Sequence, residues 1–525
     1  MRLRPCRHAD LWLWCQTAQC GVALQGESGN PRNCPFSILH AKPIGPHLRN
    51  VSFLRRRAAQ VLALAAALHV TVEATPVEAQ NLTVETGFER LSSPQTLIEG
   101  LNRIYVGYQF TDNLSVGQSF YSAVQGDAGG AFFWGFEGVA RLPLSKGFSL
   151  SASGFVGGGG GAAQVVGDGL MLRAGLALDY QVSDAWAVQL TGAWVDIDGA
   201  PISGPTFGIG LRRQIGTATP GSWRAQLDAA GGVVTAYTSP SSVRNRAGGA
   251  QGRIALVGAR ALFGLGANTQ LSLGAAGAAS GAQGYMQVTT GLRRNFTLGP
   301  ASLFVEGGVG FGGGGEVDTG AGPLVEAMAG LRLPVTRKLD AELSFGAIVA
   351  PTGSFRAAGV SLGILRNFDR TRGQGAPQRW AYSGGISVHQ TGGNYFLNAN
   401  PASFIVMQES SFDYFLGQNL YVSGNGQTAL YGGVAGYAIG MLGLGYQIDL
   451  GERWAVSLEG HIGAAGGGGV NVAGGILGGL RAELDYRVGD NWAVSLGLGR
   501  LSALRGNGMS SNVATLGLKI PFTTR

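Results

Sequence analysis

The sequence predicts an all-β protein, a transmembrane antiparallel β-barrel of about 24 strands arranged as three repeats of eight. Three observations carry this. The chain repeats itself at a fixed spacing, its strands alternate in polarity with period two, and aromatic side chains recur beside its short turns. Leu178–Leu190 reads LDYQVSDAWAVQL and Leu484–Leu496 reads LDYRVGDNWAVSL, 306 residues apart, with a weaker copy, LRLPVTRKLDAEL, at Leu331–Leu343. Val182, Val335 and Val488 share a spacing of 153, as do Gly157, Gly310 and Gly463 at the heads of three glycine runs. Tyr108, Asn113, Leu114 and Val116 lie 306 residues before Tyr414, Asn419, Leu420 and Val422. Registers that agree at separate places mark one repeated unit rather than unrelated domains.

The order of elements begins with a leader. Residues 1–79 hold nine Lys and Arg against four Asp and Glu, so the remainder carries 29 against 27, and the net charge of +7 falls to +2. A nucleic-acid partner therefore has no compositional support. Arg55, Arg56 and Arg57 form a positive n-region, Ala58 to Val72 an apolar h-region, and Val77-Glu78-Ala79 a small-x-small cleavage site. Residues 51–79 thus read as a secretory signal peptide cut before Gln80. The apolar run is shorter than the ~20 residues of a membrane-spanning helix. Residues 1–50 read as an atypical leader expected to be absent from the mature protein, either an upstream extension or a disordered segment. All four Cys, at 6, 15, 20 and 34, lie there, so the exported portion has neither disulfide nor thiol nucleophile.

The repeats follow as 80–216, 217–370 and 371–525. Only 13% of the chain is charged, 90 residues are Gly, and after residue 80 no apolar run is long enough for a membrane helix. The strands instead separate their faces. Ala482, Leu484, Tyr486 and Val488 oppose Arg481, Glu483, Asp485 and Arg487, and Ala174, Leu176, Leu178, Tyr180 and Val182 oppose Arg173, Gly175, Ala177, Asp179 and Gln181. A soluble sandwich would bury the leucines and a membrane barrel would turn them to lipid. The export signal, strands of about ten residues and the pairs Tyr180/Trp186, Tyr446/Trp454 and Tyr486/Trp492 at strand ends favour lipid, with those six aromatics at the membrane interface. Arg173, Asp179, Arg332, Asp340, Glu342, Arg481, Glu483, Asp485 and Arg487 then face the lumen.

In the third repeat the strands count out as one near Trp380–Thr391, hairpins turning near Gly417–Asn419, Gly451–Arg453 and Gly489–Asn491, and a last strand at Val513–Phe522. The LDYxVxDxWAVxL hairpin supplies the sixth and seventh of eight. Tight turns fall on one side and longer connections, including the glycine runs, on the other.

The closing segment Thr515-Leu516-Gly517-Leu518-Lys519-Ile520-Pro521-Phe522 resembles the terminal signal of bacterial outer-membrane β-barrel proteins: a polar residue, Gly two later, then hydrophobics three and five beyond. Thr523 to Arg525 extend past the usual terminal aromatic. Thr206–Arg213 and Ser361–Phe368 are similar closers of the other repeats. The resemblance implies outer-membrane localisation, contact with outer-membrane lipid, and insertion by the barrel assembly machinery through Thr515, Gly517, Ile520 and Phe522. The repeat count and the two-faced strands point to a porin-like passive channel or export conduit for small solutes. The alternative is a structural or surface-interaction protein of closed small barrels.

Two assemblies remain open, three small barrels or one barrel of about 24 strands. Small lumen candidates such as Ala455, Ser457, Ala493, Ser495 and Gly497 favour the single wide barrel, whereas junctions Gln214–Ser222 and Asp369–Arg379, with Pro220 and Pro377, favour three. Neither a catalytic nor a cofactor or metal site is expected. Ser457, Glu459 and His461 alternate along one strand, but i, i+2 positions lie ~7 Å apart, beyond hydrogen-bond reach. GGGGGAAQVV, GGGGEVDTG and GGGGVNVAGG lack the Lys-Ser/Thr and following helix of a phosphate loop, so they read as flexible or closely packed backbone.

Overall fold

A computed structural model describes residues 82–93, 97–111, 113–161, 168–183, 186–215, 226–368, 378–488 and 492–524. Residues 1–79, expected as leader and signal peptide, the turn expected near Gly489–Asn491 and most of both inter-repeat junctions lie outside them. The described chain forms 24 antiparallel strands, from β1 (Leu82–Leu91) to β24 (Ser510–Thr524). They close into three separate barrels of eight. In the first, β1 pairs with β8 (Ser203–Ile215), Leu91 opposite Thr206. In the second, β9 (Gln226–Thr238) pairs with β16 (Arg356–Asn367), and in the third β17 (Gln378–Gln390) pairs with β24.

Three small barrels replace the single wide one that the small lumen residues had favoured. Those residues are small because large neighbours occupy the space beside them. Gly445 lies against the Tyr421 ring, Gly443 against Glu459 and Ser423, Gly157 against Phe155, and Gly330 against Phe304. An eight-stranded barrel has an interior just wide enough for side chains to fill, and pairing a large residue with a glycine opposite fills it without strain.

Which face is buried is decided by exposure. Glu85 is 2% exposed and Arg293 fully buried, while Ile209 is 66% and Leu498 64% exposed. In water each such leucine would forfeit about 25 cal/mol for every Å² left uncovered. A chain with charges inside and leucines outside is built for hydrocarbon, and the sandwich alternative is overturned. Strands of 10 to 15 residues, at ~3.4 Å per residue and a tilt of ~45°, cross a hydrocarbon core of about 30 Å. The hairpin LDYxVxDxWAVxL forms β6 (Leu170–Gln181) with β7 (Trp186–Ile197) and β22 (Ile476–Arg487) with β23 (Ala493–Ala503). Pro521 opposes Ala381 of β17, beyond the last residue of β23 that pairs with β24, so no ladder bond is lost on that side.

Candidate functional site

Each lumen has two storeys. Toward the end bearing the long connections, apolar side chains pack into a cap: Leu91, Ile98, Tyr121, Phe133, Phe155 and Met171 in the first barrel, Tyr237, Tyr285, Val317 and Phe355 in the second, and Tyr395, Met407, Tyr437, Val470 and Val472 in the third. Several cap residues, among them Val317, Tyr395, Val470 and Val472, come from the loops folding inward. Burial drives the Tyr395 and Tyr437 phenols, both on these loops, above the ordinary tyrosine range.

The remaining length of each lumen holds ion pairs. In the first barrel Arg103 donates to Glu85 at 2.8 Å and to Glu137 at 2.9 and 3.1 Å. Ser119 and Tyr121 also donate to Glu137, and Arg173 donates to Glu89. In the second, Arg293 bridges Glu306 at 2.7 Å and Glu342 at 2.6 Å with its guanidinium 3.8 Å from the Phe304 ring centre. In the third, Arg481 joins Glu409 and Glu459, and Lys519 donates to Glu483 at 2.5 Å and Asp485 at 2.9 Å. Such networks hold a unique arrangement because breaking one strands a buried charge.

The lumen residues expected from the sequence are placed as follows. Arg173, Asp179, Arg332, Asp340, Glu342, Arg481, Glu483 and Asp485 all lie inside, each with a partner: Asp179 accepts from Ser151 and Gln189, and Arg332 donates to Asp340. Arg487 sits at a rim, paired with Asp449 at 2.5 Å with both partly exposed. Arg103, Glu85, Glu137, Arg260, Arg293, Glu306, Glu409 and Lys519 complete the networks and were not read from the sequence. Their signal was available: each is a charge at an inward period-two position among apolar or small alternates.

Tyr180, Trp186, Tyr446, Trp454 and Trp492 are exposed and Tyr486 half-buried. Trp454 and Tyr486 face each other across β21 (Trp454–Gly466) and β22, their rings 4.7 Å apart. Ser457, Glu459 and His461 all point into the third lumen. Glu459 stands 3.4 Å from His461 Nδ1 and accepts from Ser423, Tyr421 and Arg481. Every one of its near partners except His461 comes from another strand, and the group belongs to the ionic filling. Thr515, Gly517 and Ile520 lie on β24, opposite Ser387, Gly385 and Tyr382, and the backbone of Phe522 lies opposite Trp380.

The glycine runs have a place the sequence did not disclose. They end β5 (Phe148–Gly160), β13 (Ala301–Gly313) and β21, and they lie where barrels meet. β3 (Leu114–Gly126) touches β13, β11 (Thr269–Ser280) touches β21, and β19 (Leu420–Tyr431) touches β5. The three contacts are one relation repeated, first barrel to second, second to third, third to first. Such a head-to-tail contact closes a ring when its rotation is a third of a turn. At the ring, Gly129 donates to the Gly320 carbonyl at 2.8 Å and Gly436 to the Gly159 carbonyl at 2.7 Å. A Cβ on Gly466 would stand 2.5 Å from Gly284. Only residues without side chains admit backbones this close. Gln118 of the first barrel donates to the Tyr382 hydroxyl of the third at 2.8 Å, and Phe120 stacks on Phe311 of the second.

No protein-family model matches the chain, and no curated protein matches it. Among solved structures the chain is similar to Pseudomonas aeruginosa OccK11 (OpdR), at 12% identity over 85% of this chain and 96% of that one, with a TM-score of 0.21. It is also similar to the FrpB iron transporter from Neisseria meningitidis, at 11% over 85% and 81% with a TM-score of 0.28, and to a BenF-like porin from Pseudomonas fluorescens Pf-5, at 10% over 85% and 99% with a TM-score of 0.22. Scores of this size transfer no residue role, and the fold rests on the chain's own pairing.

Proposed function

We propose that the chain is an integral outer-membrane β-barrel protein of porin-like build, in which three narrow barrels stand side by side and passage is limited to small solutes. The observation that carries this is the inversion of its strands, with leucine, valine and aromatic residues outward and Arg–Glu pairs inward. Export through the 51–79 signal and insertion by the barrel assembly machinery through the β24 residues Thr515, Gly517, Ile520 and Phe522 belong to the same reading.

The polar storey is filled by buried ion pairs of both signs, and the apolar cap closes the loop end. Passage then requires both the pairs and the cap to yield, which makes this a gated, low-conductance barrel rather than an open pore. The test is a planar-bilayer recording of the refolded full chain beside a variant with Tyr121→Ala and Phe133→Ala. Small discrete steps that grow in the variant are expected. Silence from both would overturn passage. The closed-scaffold reading would then stand, with barrels that anchor loops at the cell surface, and it is favoured by the filling of all three lumens.

A further inference from the structure

On the outward face of the third barrel an arginine stands at a position that is uncharged in the two sister barrels. At the loop end of β23, β24, β17 and β18 (Phe404–Phe415), Arg500 pairs across the sheet with Asn512, and Gln390 with Phe404. Asn512 donates to the Gln390 amide oxygen at 3.1 Å. Arg500 donates to Ser510 at 3.1 and 3.3 Å, and Ser510 shares a 2.8 Å hydrogen bond with Ser502. These side chains make a polar row on a face that is otherwise apolar.

Two residues further down the strands the row gives way to Leu498, Ala514 and Val388, which lie opposite one another across the same three strands. Ala514 offers a single methyl between two larger neighbours. The result is a groove of about 420 Å³, walled by Leu498, Val388 and Phe404, floored at Ala514 and ended by Gln390 and Asn512. It opens sideways from the barrel. The equivalents of Arg500 are Trp194 in the first repeat and Ala347 in the second, opposite Pro205 and Ala358. Trp194 donates to Ser203 at 3.1 Å, as Arg500 does to Ser510, but neither sister position carries a charge.

Charge decides the occupant. Among the described residues of the four loops at this end of the barrel, 391–403, 432–437, 467–475 and 504–509, Arg505 is the one charged side chain, and it is exposed. Arg500 has no carboxylate partner among the described residues. Arg500, opposite the groove residue Asn512, and Arg505, on the loop joining β23 to β24, put two guanidinium groups at this end of the sheet, with no acid on those four loops. A guanidinium matches a phosphate with paired hydrogen bonds, and a groove facing hydrocarbon takes an acyl chain.

We infer that this face binds one anionic, phosphate-bearing lipid of the surrounding membrane, its phosphate on Arg500 and Arg505 and one acyl chain along Ala514. The inference rests on the outer-membrane reading. It is tested by refolding the full chain in micelles containing equal phosphatidylglycerol and phosphatidylcholine, stripping loose lipid, and counting bound lipid by native mass spectrometry. One phosphatidylglycerol per chain is expected, in preference to phosphatidylcholine. An Arg500→Gln, Arg505→Gln variant should retain it about tenfold less, the weight of one charge-assisted hydrogen bond. Arg500→Lys should recover part of that, and Ala514→Trp should block the acyl chain and abolish retention. Inorganic phosphate in excess should not displace the lipid, since it lacks the chain.

Equal retention of both lipids by the unaltered chain, or unchanged retention in both the Gln and Trp variants, would overturn the site. Flotation of the same proteins with phosphatidylcholine vesicles separates the two levels. Flotation without selective retention removes the lipid site alone, and failure of the unaltered chain to float removes the membrane reading itself.

Discussion

The backbone amide of Gly436, in the third barrel, donates to the carbonyl of Gly159, in the first, at 2.7 Å. Two glycines 277 residues apart in sequence thereby join two barrels main chain to main chain, where an unpaired buried backbone group would cost about as much as a lost hydrogen bond. The same ring admits no side chain at Gly130, whose φ of 91° and whose neighbour Gly313 across the seam both exclude one.

Gly130→Val is therefore expected to separate the first two barrels without unfolding either. Strain at a left-handed position alone amounts to about 1–3 kcal/mol. No cysteine lies beyond residue 34, so a Phe120→Cys, Phe311→Cys pair reports the seam. Crosslinking should be near complete in the unaltered background and largely lost with Gly130→Val. Full crosslinking in both would show that the seam does not depend on this contact.

Removing Arg103 leaves Glu85 with Arg141 at 2.9 Å and Glu137 with Arg173 at 3.5 Å, two buried carboxylates short of the cation they share. Arg103→Ala should destabilise the protein by about 3–5 kcal/mol, read as a lower urea midpoint in micelles. Arg103→Met with Glu85→Gln and Glu137→Gln should recover much of that, because the stranded charge rather than the lost pair sets the cost.

Leu190 faces outward near the middle of β7, between Leu178 and Ile209. Leu190→Arg should make insertion less favourable by ~2–4 kcal/mol, the cost of a lipid-facing arginine at mid-membrane depth. Folding yield into vesicles measures it, and a yield equal to that of the unaltered chain would argue against lipid on this face.

In the second barrel's outer loops, partial burial works to raise the pKa of Asp318, yet hydrogen bonds from Ser354 and Gly320 hold it below the ordinary aspartate value. The Ser354 amide donates at 2.9 Å and the Gly320 amide at 3.3 Å. A carboxyl with a depressed folded pKa stabilises above its unfolded pKa, near 4, and that contribution fades as pH falls through the folded value. Protease cleavage within 350–355 should accordingly rise below about pH 4. Asp318→Asn should show the acid-like cleavage at neutral pH and little further change on acidification.

Much of this architecture was legible in the chain. The hairpin around Tyr180 and Trp186 declared its strands, its turn and its outward face, because period two is written within one strand. The strand count followed from spacings of 153. How the strands close was not legible, since closure joins Leu91 to Thr206 and Trp380 to Phe522, pairs that no local pattern links. The wide-barrel expectation failed at Gly497 and Ser495 for a related reason: the residues that fill their space, Thr515 and Arg481 beside Gly497, stand on neighbouring strands. The ionic lumen was read in part: Arg481, Glu483 and Asp485 were placed by period two, a signal that Arg103 and Lys519 also carry, whereas their pairing with Glu85 and Glu137 and with Glu483 and Asp485 on other strands is written in no local pattern. The glycine runs were visible as repeats and mute about purpose, because a tight seam and a loose loop ask for the same residue.

Three copies of one head-to-tail contact on a single chain amount to a trimer with its stoichiometry written into the gene. Assembly needs no encounter between molecules, since tethering sets a local concentration on the order of millimolar. It also frees the copies from sameness. In a trimer of identical subunits any change appears three times, at three seams and three surfaces, whereas here Arg500 arose beside Trp194 and Ala347 at matching positions. Duplication within one chain has kept the ring and let each member specialise.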